Sequence, residues 1–129
     1  MLFSRRLPAI LFCVFGALAL GGKVGAASTY IIMDGTIIDV ANTVNGMQAF
    51  AVLVAGATGP CSMPTPGKQG AWIIFPENKA QSPATHRMAQ QLAMLALATG
   101  KKVRIANYQD ASCFGASFIS ISNGPSSTD

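Results

Sequence analysis

The stretch Ser82–Ile105, SPATHRMAQQLAMLALATGKKVRI, contains one helix with its start and stop signals and then turns into a strand. Ser82 is a favourable N-cap, and Pro83 fits the first helical position, where a missing N–H costs nothing. Gly100 can adopt the left-handed conformation that ends many helices. These signals predict one helix of about 17 residues, roughly 25 Å long, because each residue adds ~1.5 Å.

One face of this helix is predicted to be apolar. Its members recur at helical spacing and are Met88, Leu92, Leu95 and Thr99, with Ala84 one turn earlier. Such a stripe usually faces the core of a protein. The alanines at positions 89, 93, 96 and 98 add helix propensity and allow close packing against a sheet.

The first 27 residues have the pattern of a secretory signal peptide. Arg5 and Arg6 provide a basic start, and Ala9–Leu20 (AILFCVFGALAL) provides an apolar core before a small-residue segment that ends in VGAA. An apolar run of ~12 residues is too short for a membrane span, which needs about 20. We expect cleavage after Ala26 or Ala27 and a secreted or periplasmic protein with no membrane span after leader cleavage.

The remaining 102 residues are enough for one small domain, over residues 28–122, followed by a polar tail, residues 123–129, that is predicted to be disordered. Six basic and five acidic residues lie outside the leader, so the net charge falls from +4 for the full chain to +1. This balance does not favour a nucleic-acid partner.

Two cysteines, Cys61 and Cys113, lie outside the leader. In an exported protein, two thiols are expected to form a disulfide, and this one would close a loop of about 50 residues. The alternative is a reactive thiol. That role needs a partner base, and the only histidine of the chain is His86.

Five strands are predicted around the helix. Their ranges are Tyr30–Val40, Met47–Ala55, Ala71–Pro76, Lys101–Tyr108 and Phe114–Ser122. Asp34-Gly35 interrupts the first strand, either as a bulge or as a hairpin turn, and we prefer one bent strand. The longest irregular stretch is Gly56–Gly70, which contains three prolines and four glycines.

The element order β-β-β-α-β-β predicts a β-rich α+β protein. It is the order of the OB-fold, a five-stranded barrel whose helix lies between the third and fourth strands. An open α+β sheet with one covering helix is the alternative. Barrel closure is attractive because it removes exposed strand edges.

The sequence offers no catalytic or metal-binding motif. The carboxylates are scattered, and no cysteine or histidine spacing typical of zinc and no glycine-rich phosphate loop is present. His86 has no recognisable catalytic partner and is expected to be a solvated surface residue. We therefore expect a protein that is not an enzyme and that uses no cofactor or metal.

Aromatic and basic residues provide the candidate binding groups. Trp72 is the only tryptophan and could stack on a sugar ring or base, although a tryptophan in such an apolar strand is more often part of the core. Tyr30 and Tyr108 could line a barrel mouth. A basic cluster follows the helix at Lys101, Lys102 and Arg104. It is either a solvated charged face or, less often, an anion site.

Several of these features together resemble a known family. They are Gly35, Cys61, Trp72, the alanine-rich helix Ala84–Thr99, the turn Thr99-Gly100-Lys101 with Val103 and Ile105, and Cys113. In these features the chain is similar to the pertussis-toxin-like OB-fold B subunits of subtilase-cytotoxin and typhoid-toxin type, and to related small exported bacterial proteins. The resemblance implies an OB-fold. In the toxin members it also implies a ring of five copies that binds sialylated host glycans and carries an A subunit.

Two departures limit what transfers from that family. The toxin members use a serine before the first-strand glycine as a glycan contact, and Asp34 stands at that position here. A carboxylate there would repel a sialic acid. The chain also has QDASCFG, residues 109–115, where those members place an aromatic pair.

We therefore expect a secreted, non-enzymatic binding module that recognises a carbohydrate. Its candidate ligand-binding residues are Tyr30, Asp34 and Trp72, and a toxin-type homo-oligomer is its sharpest form. The alternative is a small periplasmic or envelope protein with a structural or inhibitory role and a protein partner.

Overall fold

The computed structural model of the chain describes residues 29–42 and 48–123. Its elements are β1 (Thr29–Asn42), β2 (Ala49–Ala55), β3 (Ala71–Pro76), a short 3₁₀ helix (Glu77–Lys79), α1 (Pro83–Thr99), β4 (Lys102–Asn107) and β5 (Phe118–Ser122). The predicted order β-β-β-α-β-β is confirmed. The predicted leader, the residue Met47 and the tail from residue 124 onward lie outside the described residues.

The five strands form one antiparallel sheet in the order β3-β2-β1-β4-β5. β1 is the central strand: its residues Thr29–Thr36 pair with β4, and Thr36–Asn42 pair with β2. The strand pairing leaves β3 and β5 at the two edges of the sheet. A β-rich α+β fold is thus confirmed as a five-stranded sheet with one helix.

β1 bends because its register with its two neighbours shifts three times, between Tyr30 and Ile32, between Ile32 and Gly35, and between Ile37 and Asp39. Each shift marks a bulge or an irregularity, and bulges increase the local twist and bend of a strand. The prediction of one bent strand is confirmed, and the hairpin alternative is wrong.

The main core lies between one face of the sheet and α1. Its buried strand residues include Ile31, Ile37, Phe50, Val52, Val54, Ile73, Phe75, Val103, Ile105 and Ile119. Ile121 packs against this cluster, so Ile119 and Ile121 of β5 both point toward the core.

The helix packs against the sheet mainly through its alanines. Ala89, Ala93 and Ala96 are its buried residues, whereas Met88 is 61% exposed and Leu95 is 52% exposed. Small side chains let the helix backbone approach the sheet closely, and longer side chains at those positions would hold it away. The expected close packing of the alanines against the sheet is therefore confirmed at Ala89, Ala93 and Ala96. Of the apolar stripe, Leu92 packs against the core, whereas the expectation that Met88 and Leu95 face the core is wrong.

The two ends of α1 match their predicted signals. The side chain of Ser82 accepts a hydrogen bond from the Thr85 backbone N–H at 3.1 Å. Gly100 has the left-handed φ of 67°, and its N–H donates to the Ala96 carbonyl at 2.9 Å. These contacts satisfy backbone groups that helix ends otherwise leave unpaired.

His86 joins the first turn of α1 to β3. Its Nε2 donates to the Phe75 carbonyl at 2.8 Å, and its ring lies 5.2 Å from the ring of Phe50. Because His86 is half-buried in these contacts, the expectation of a solvated surface residue is wrong.

The predicted disulfide between Cys61 and Cys113 is present, with the two Cα atoms 5.7 Å apart. It ties the loop after β2 to the segment before β5. In that segment, Ile74 of β3 donates its N–H to the Cys113 carbonyl, and Ala116 donates to the Ile74 carbonyl, both at 3.0 Å. Because residues 113–116 run along β3, the fifth strand begins at Phe118 and not at the predicted Phe114.

Candidate ligand-binding surface

The outer face of β4 and β5, opposite the core, carries a group of polar and aromatic side chains. Ile105 and Ile119 belong to the core. Because successive side chains of a strand point to opposite faces, Arg104, Phe118 and Ser120 lie on the outer face.

Pairing with β1 adds a tyrosine to this face. Tyr30 pairs with Ala106 of β4, and Ala106 pairs with Phe118 of β5. The small side chain of Ala106 therefore separates two large rings on β1 and β5, the strands on either side of β4. The ring centroids of Tyr30 and Phe118 are 6.5 Å apart, with an edge-to-face angle of 69°.

Tyr108 and Arg104 complete what we call the outer-face cluster, defined as Tyr30, Arg104, Tyr108 and Phe118. The Tyr108 ring lies 5.9 Å from the Phe118 ring at 62°, again edge to face. The guanidinium carbon of Arg104 lies 5.4 Å from the centre of the Tyr30 ring. Edge-to-face rings and an arginine over a tyrosine are favourable arrangements, so the cluster is a preformed surface.

A buried asparagine fixes the turn that follows Tyr108. Asn107 donates from Nδ2 to Asp110 Oδ1 at 2.7 Å and to the Ser112 carbonyl at 2.9 Å, and its Oδ1 accepts from the Gln109 N–H at 3.0 Å. Asn107 is 2% exposed. This network holds the end of β4 in place and so positions the neighbouring Tyr108.

The electrostatic environment of the cluster disfavours the loss of a tyrosine proton. Tyr108 is 49% exposed, yet desolvation raises the pKa of its phenol above the ordinary value of 10.0. The neighbouring Tyr30 raises the pKa further, because two phenolates would repel each other.

Three side-chain polar atoms of the described residues are buried without a hydrogen-bond partner. One is Oγ of Ser117, and the other two lie on the outer face of β4 and β5. They are Nε of Arg104 and Oγ of Ser120, and these two residues face each other directly in the β4–β5 register. Buried polar groups in native proteins are nearly always paired, so an unpaired couple calls for an explanation.

Comparison with known proteins places the chain in a family. Residues 10–123 match the sequence profile of DUF5992, a family of unknown function. The chain belongs to DUF5992. No curated protein and no solved structure matches it significantly. The matched range includes every described helix and strand of this DUF5992 protein.

Of the three candidate binding residues, the DUF5992 protein places only Tyr30 in the cluster. Asp34 lies farther along β1 at the bulge, where it has a left-handed φ of 53°. Trp72 is half-buried in β3, where it pairs with Leu53 of β2 and donates its backbone N–H to Thr65 Oγ1 at 3.3 Å. Trp72 on β3 and Tyr30 on β1 are separated by β2, and Tyr30 lies in the part of β1 that pairs with β4, so the sheet does not bring the two side chains together.

The basic cluster of the DUF5992 protein is divided between different contacts. Lys102 Nζ donates to Thr36 Oγ1 at 2.9 Å, which links β4 to β1. Arg104 instead lies over Tyr30. Lys101 is exposed in the turn between α1 and β4.

Within residues 29–42 and 48–123, no three histidine, cysteine or acidic side chains are grouped closely enough to hold a metal ion. Over the same residues, no helix of the DUF5992 protein has the length and hydrophobicity of a membrane span. The side chains of the outer-face cluster offer aromatic rings for stacking and hydrogen-bond donors.

Proposed function

We propose that this DUF5992 protein is a secreted, non-enzymatic binding module that recognises a carbohydrate, in the manner of the toxin B subunits that its sequence resembles. The observation that carries the proposal is the outer-face cluster. Three aromatic rings and a guanidinium share one sheet face there. Aromatic faces provide apolar contact area, and nearby polar groups fix the orientation of a ligand, which are the usual properties of a small-ligand site.

Export of the protein is part of the same proposal. The basic start and apolar core of residues 1–27 support cleavage of a leader after Ala26 or Ala27. The disulfide between Cys61 and Cys113 supports an oxidising compartment, since such bonds persist mainly outside the cytosol. The protein would then meet glycans in the periplasm or outside the cell.

We also propose that the sheet closes into an OB-fold-like barrel. Two hydrogen bonds of Ile74 support this closure, because they join the edge strand β3 to residues 113–116, which lead directly into the other edge strand, β5. The division of β1 between β4 and β2 supports it as well, since one bent strand then serves both halves of the barrel.

A glycan array probed with the leader-free, oxidised protein tests carbohydrate binding. The informative variant is Tyr108→Ala, and the matched control is Phe114→Ala, which removes a 62% exposed ring outside the cluster. We expect Tyr108→Ala to weaken binding about tenfold, equivalent to ~1.4 kcal/mol, because one stacking ring is lost. Phe114→Ala should stay within about twofold. An array without any bound glycan, or equal losses in both variants, would contradict the proposal.

A second candidate function is binding of a protein partner through α1. The exposed side of this helix carries Met88, Met94, Leu95 and Leu97, which are 61%, 56%, 52% and 41% exposed. A groove beside it is lined by Val40, Ala41, Asn42, Gln90, Met94, Leu97 and Ala98. Contiguous exposed apolar side chains mark interaction surfaces, and methionine is enriched in such interfaces.

Native mass spectrometry distinguishes the possible partners of α1. A discrete five-copy species that Leu95→Lys disrupts would support a toxin-like ring, in which an A subunit would be a further partner. If the unmodified protein and Leu95→Lys are both monomers, the ring is excluded. That result would favour the alternative function, a periplasmic or envelope protein with a structural or inhibitory role.

A further inference from the structure

We propose that Arg104 and Ser120 form a binding site for a tetrahedral oxyanion, a phosphate or sulfate monoester carried on the sugar. This inference rests on the proposed carbohydrate function and names the class of ligand that the outer-face cluster would take.

Two unpaired donors provide the first argument. Arg104 Nε and Ser120 Oγ are both buried without a hydrogen-bond partner, and they belong to directly opposed residues of β4 and β5. A buried polar group without a partner destabilises the folded protein, so an acceptor that reaches both atoms would remove that cost. Arg104 Nε–H can only donate and the Ser120 hydroxyl can donate as well, so a ligand with acceptor oxygens would satisfy both atoms.

The charge on the outer face provides the second argument. Lys102 and Arg104 are two positions apart on β4 and so lie on the same face, about 7 Å apart along the strand. Their register partners on β5 are the uncharged Ser122 and Ser120. Two cations beside two hydroxyl-bearing residues favour an anionic group over a neutral one.

The arrangement of the donors favours a tetrahedral group. The guanidinium of Arg104 supplies several N–H donors in one plane, and its carbon lies over the Tyr30 ring, 5.4 Å from the ring centre. Ser120 adds an O–H from the neighbouring strand. A phosphate or sulfate monoester offers three terminal oxygens in different directions to such donors, whereas a carboxylate offers two oxygens in one plane.

Entry to the site requires a side-chain movement. Because Arg104 Nε and Ser120 Oγ are covered, a neighbouring side chain must rotate before an oxyanion can reach them. Tyr108 is 49% exposed, whereas Tyr30, Arg104 and Phe118 are half-buried, so Tyr108 is the side chain of the cluster that loses the least packing when it moves. The sugar would then pack against the displaced ring.

Isothermal titration calorimetry on the oxidised protein tests this inference. The probes are glucose 6-phosphate, glucose 6-sulfate, glucose, glucuronate and inorganic phosphate. We expect both esters to bind at least tenfold more tightly than glucose or glucuronate. Arg104→Gln should lose at least tenfold in affinity for the esters, and Ser120→Ala about threefold. The matched control is Arg87→Gln, which removes an exposed arginine of α1 and should stay within twofold.

The outcomes separate this inference from the proposed function. Glucose that binds as tightly as its esters, without an effect of Arg104→Gln, would overturn the oxyanion site and leave carbohydrate binding standing. Inorganic phosphate that binds through Arg104 as tightly as glucose 6-phosphate would support the oxyanion site and overturn the sugar function. Absence of binding by all five probes would overturn the oxyanion site. Ser120→Ala keeps the test valid if Arg104→Gln fails to fold.

Discussion

At the scale of single residues, the outer-face cluster depends on one small side chain. Ala106 is fully buried and pairs with both Tyr30 and Phe118. A larger residue at position 106 would occupy the space between the two rings. Tyr108 belongs to the same cluster, and Tyr30 is close enough to raise the pKa of the Tyr108 phenol.

The Tyr30→Phe variant tests this coupling. The chain has only two tyrosines, so Tyr108 is then the sole phenol, and its titration can be followed by absorbance at 295 nm. We expect the pKa of Tyr108 in Tyr30→Phe to lie above 10.0 because of desolvation, but below its value in the unmodified protein. A pKa at or below 10.0, or one unchanged by the substitution, would contradict the coupling.

The direction of the Tyr108 pKa shift also sets its effect on stability. Its folded-state pKa is raised above the unfolded value, so the folded protein holds the phenol proton more tightly. The stability that this provides is fully present below pH ~10 and is lost as the pH rises through the folded-state pKa.

At the scale of elements, α1 shows which packing information is local and which is not. Its caps at Ser82 and Gly100 involve neighbours within four residues, and the sequence predicts them correctly. Which face of α1 is buried depends on the distance between the helix and the sheet. That distance is set by strands that are far from α1 in the sequence. The larger apolar side chains of Met88 and Leu95 would gain more from burial, but the close approach of the helix to the sheet leaves room only for alanines.

A pair of helix variants measures which face is packed. Ala93→Leu adds bulk at a fully buried position and should reduce the free energy of unfolding by about 1–3 kcal/mol. Leu95→Lys changes an exposed position and should alter it by less than about 0.5 kcal/mol. Urea denaturation gives both values. The opposite ranking would mean that the leucine stripe faces the core.

The sequence predicts individual residues of the candidate site but not how they are grouped in space. The sequence indicates Tyr30 as a candidate ligand-binding residue and Tyr108 as a residue that could line a barrel mouth. Their grouping with Phe118 depends on the register of β1 with β4, which shifts after Tyr30 and again after Ile32. Bulges of this kind leave no clear sequence signal, so the sequence does not show how Tyr30 lies relative to Trp72 and Asp34. Ring chemistry makes Trp72 a candidate, and the family resemblance makes Asp34 one, but neither fixes their positions.

At the scale of the whole molecule, the disulfide connects three distant parts of the chain. Cys61 lies in a loop whose backbone is hydrogen-bonded to β1, through Cys61 N–H to the Ile31 carbonyl at 3.0 Å. Cys113 begins the segment that is hydrogen-bonded to β3 at Ile74. The bond therefore holds both the long loop and the connection between the two sheet edges.

Removal of the disulfide should weaken both connections. The variant Cys61→Ala/Cys113→Ala should lose about 2–4 kcal/mol of unfolding free energy, because the unfolded chain regains the freedom of a long loop. Hydrogen exchange should accelerate at the amides of Ile74 and Ala116, and less at the central β1–β2 pairs. The reduced unmodified protein is the control and should behave alike. Unchanged exchange at both amides would contradict a clamping role.

The central claim is that the outer-face cluster is the ligand surface, and NMR chemical-shift mapping tests it most directly. The oxidised, leader-free protein would be titrated with the glycan that binds most tightly on the array. We predict that the largest shifts fall on Tyr30, Arg104, Tyr108 and Phe118. Shifts centred instead on Trp72 or on the exposed face of α1, or no shifts at millimolar glycan, would contradict the claim.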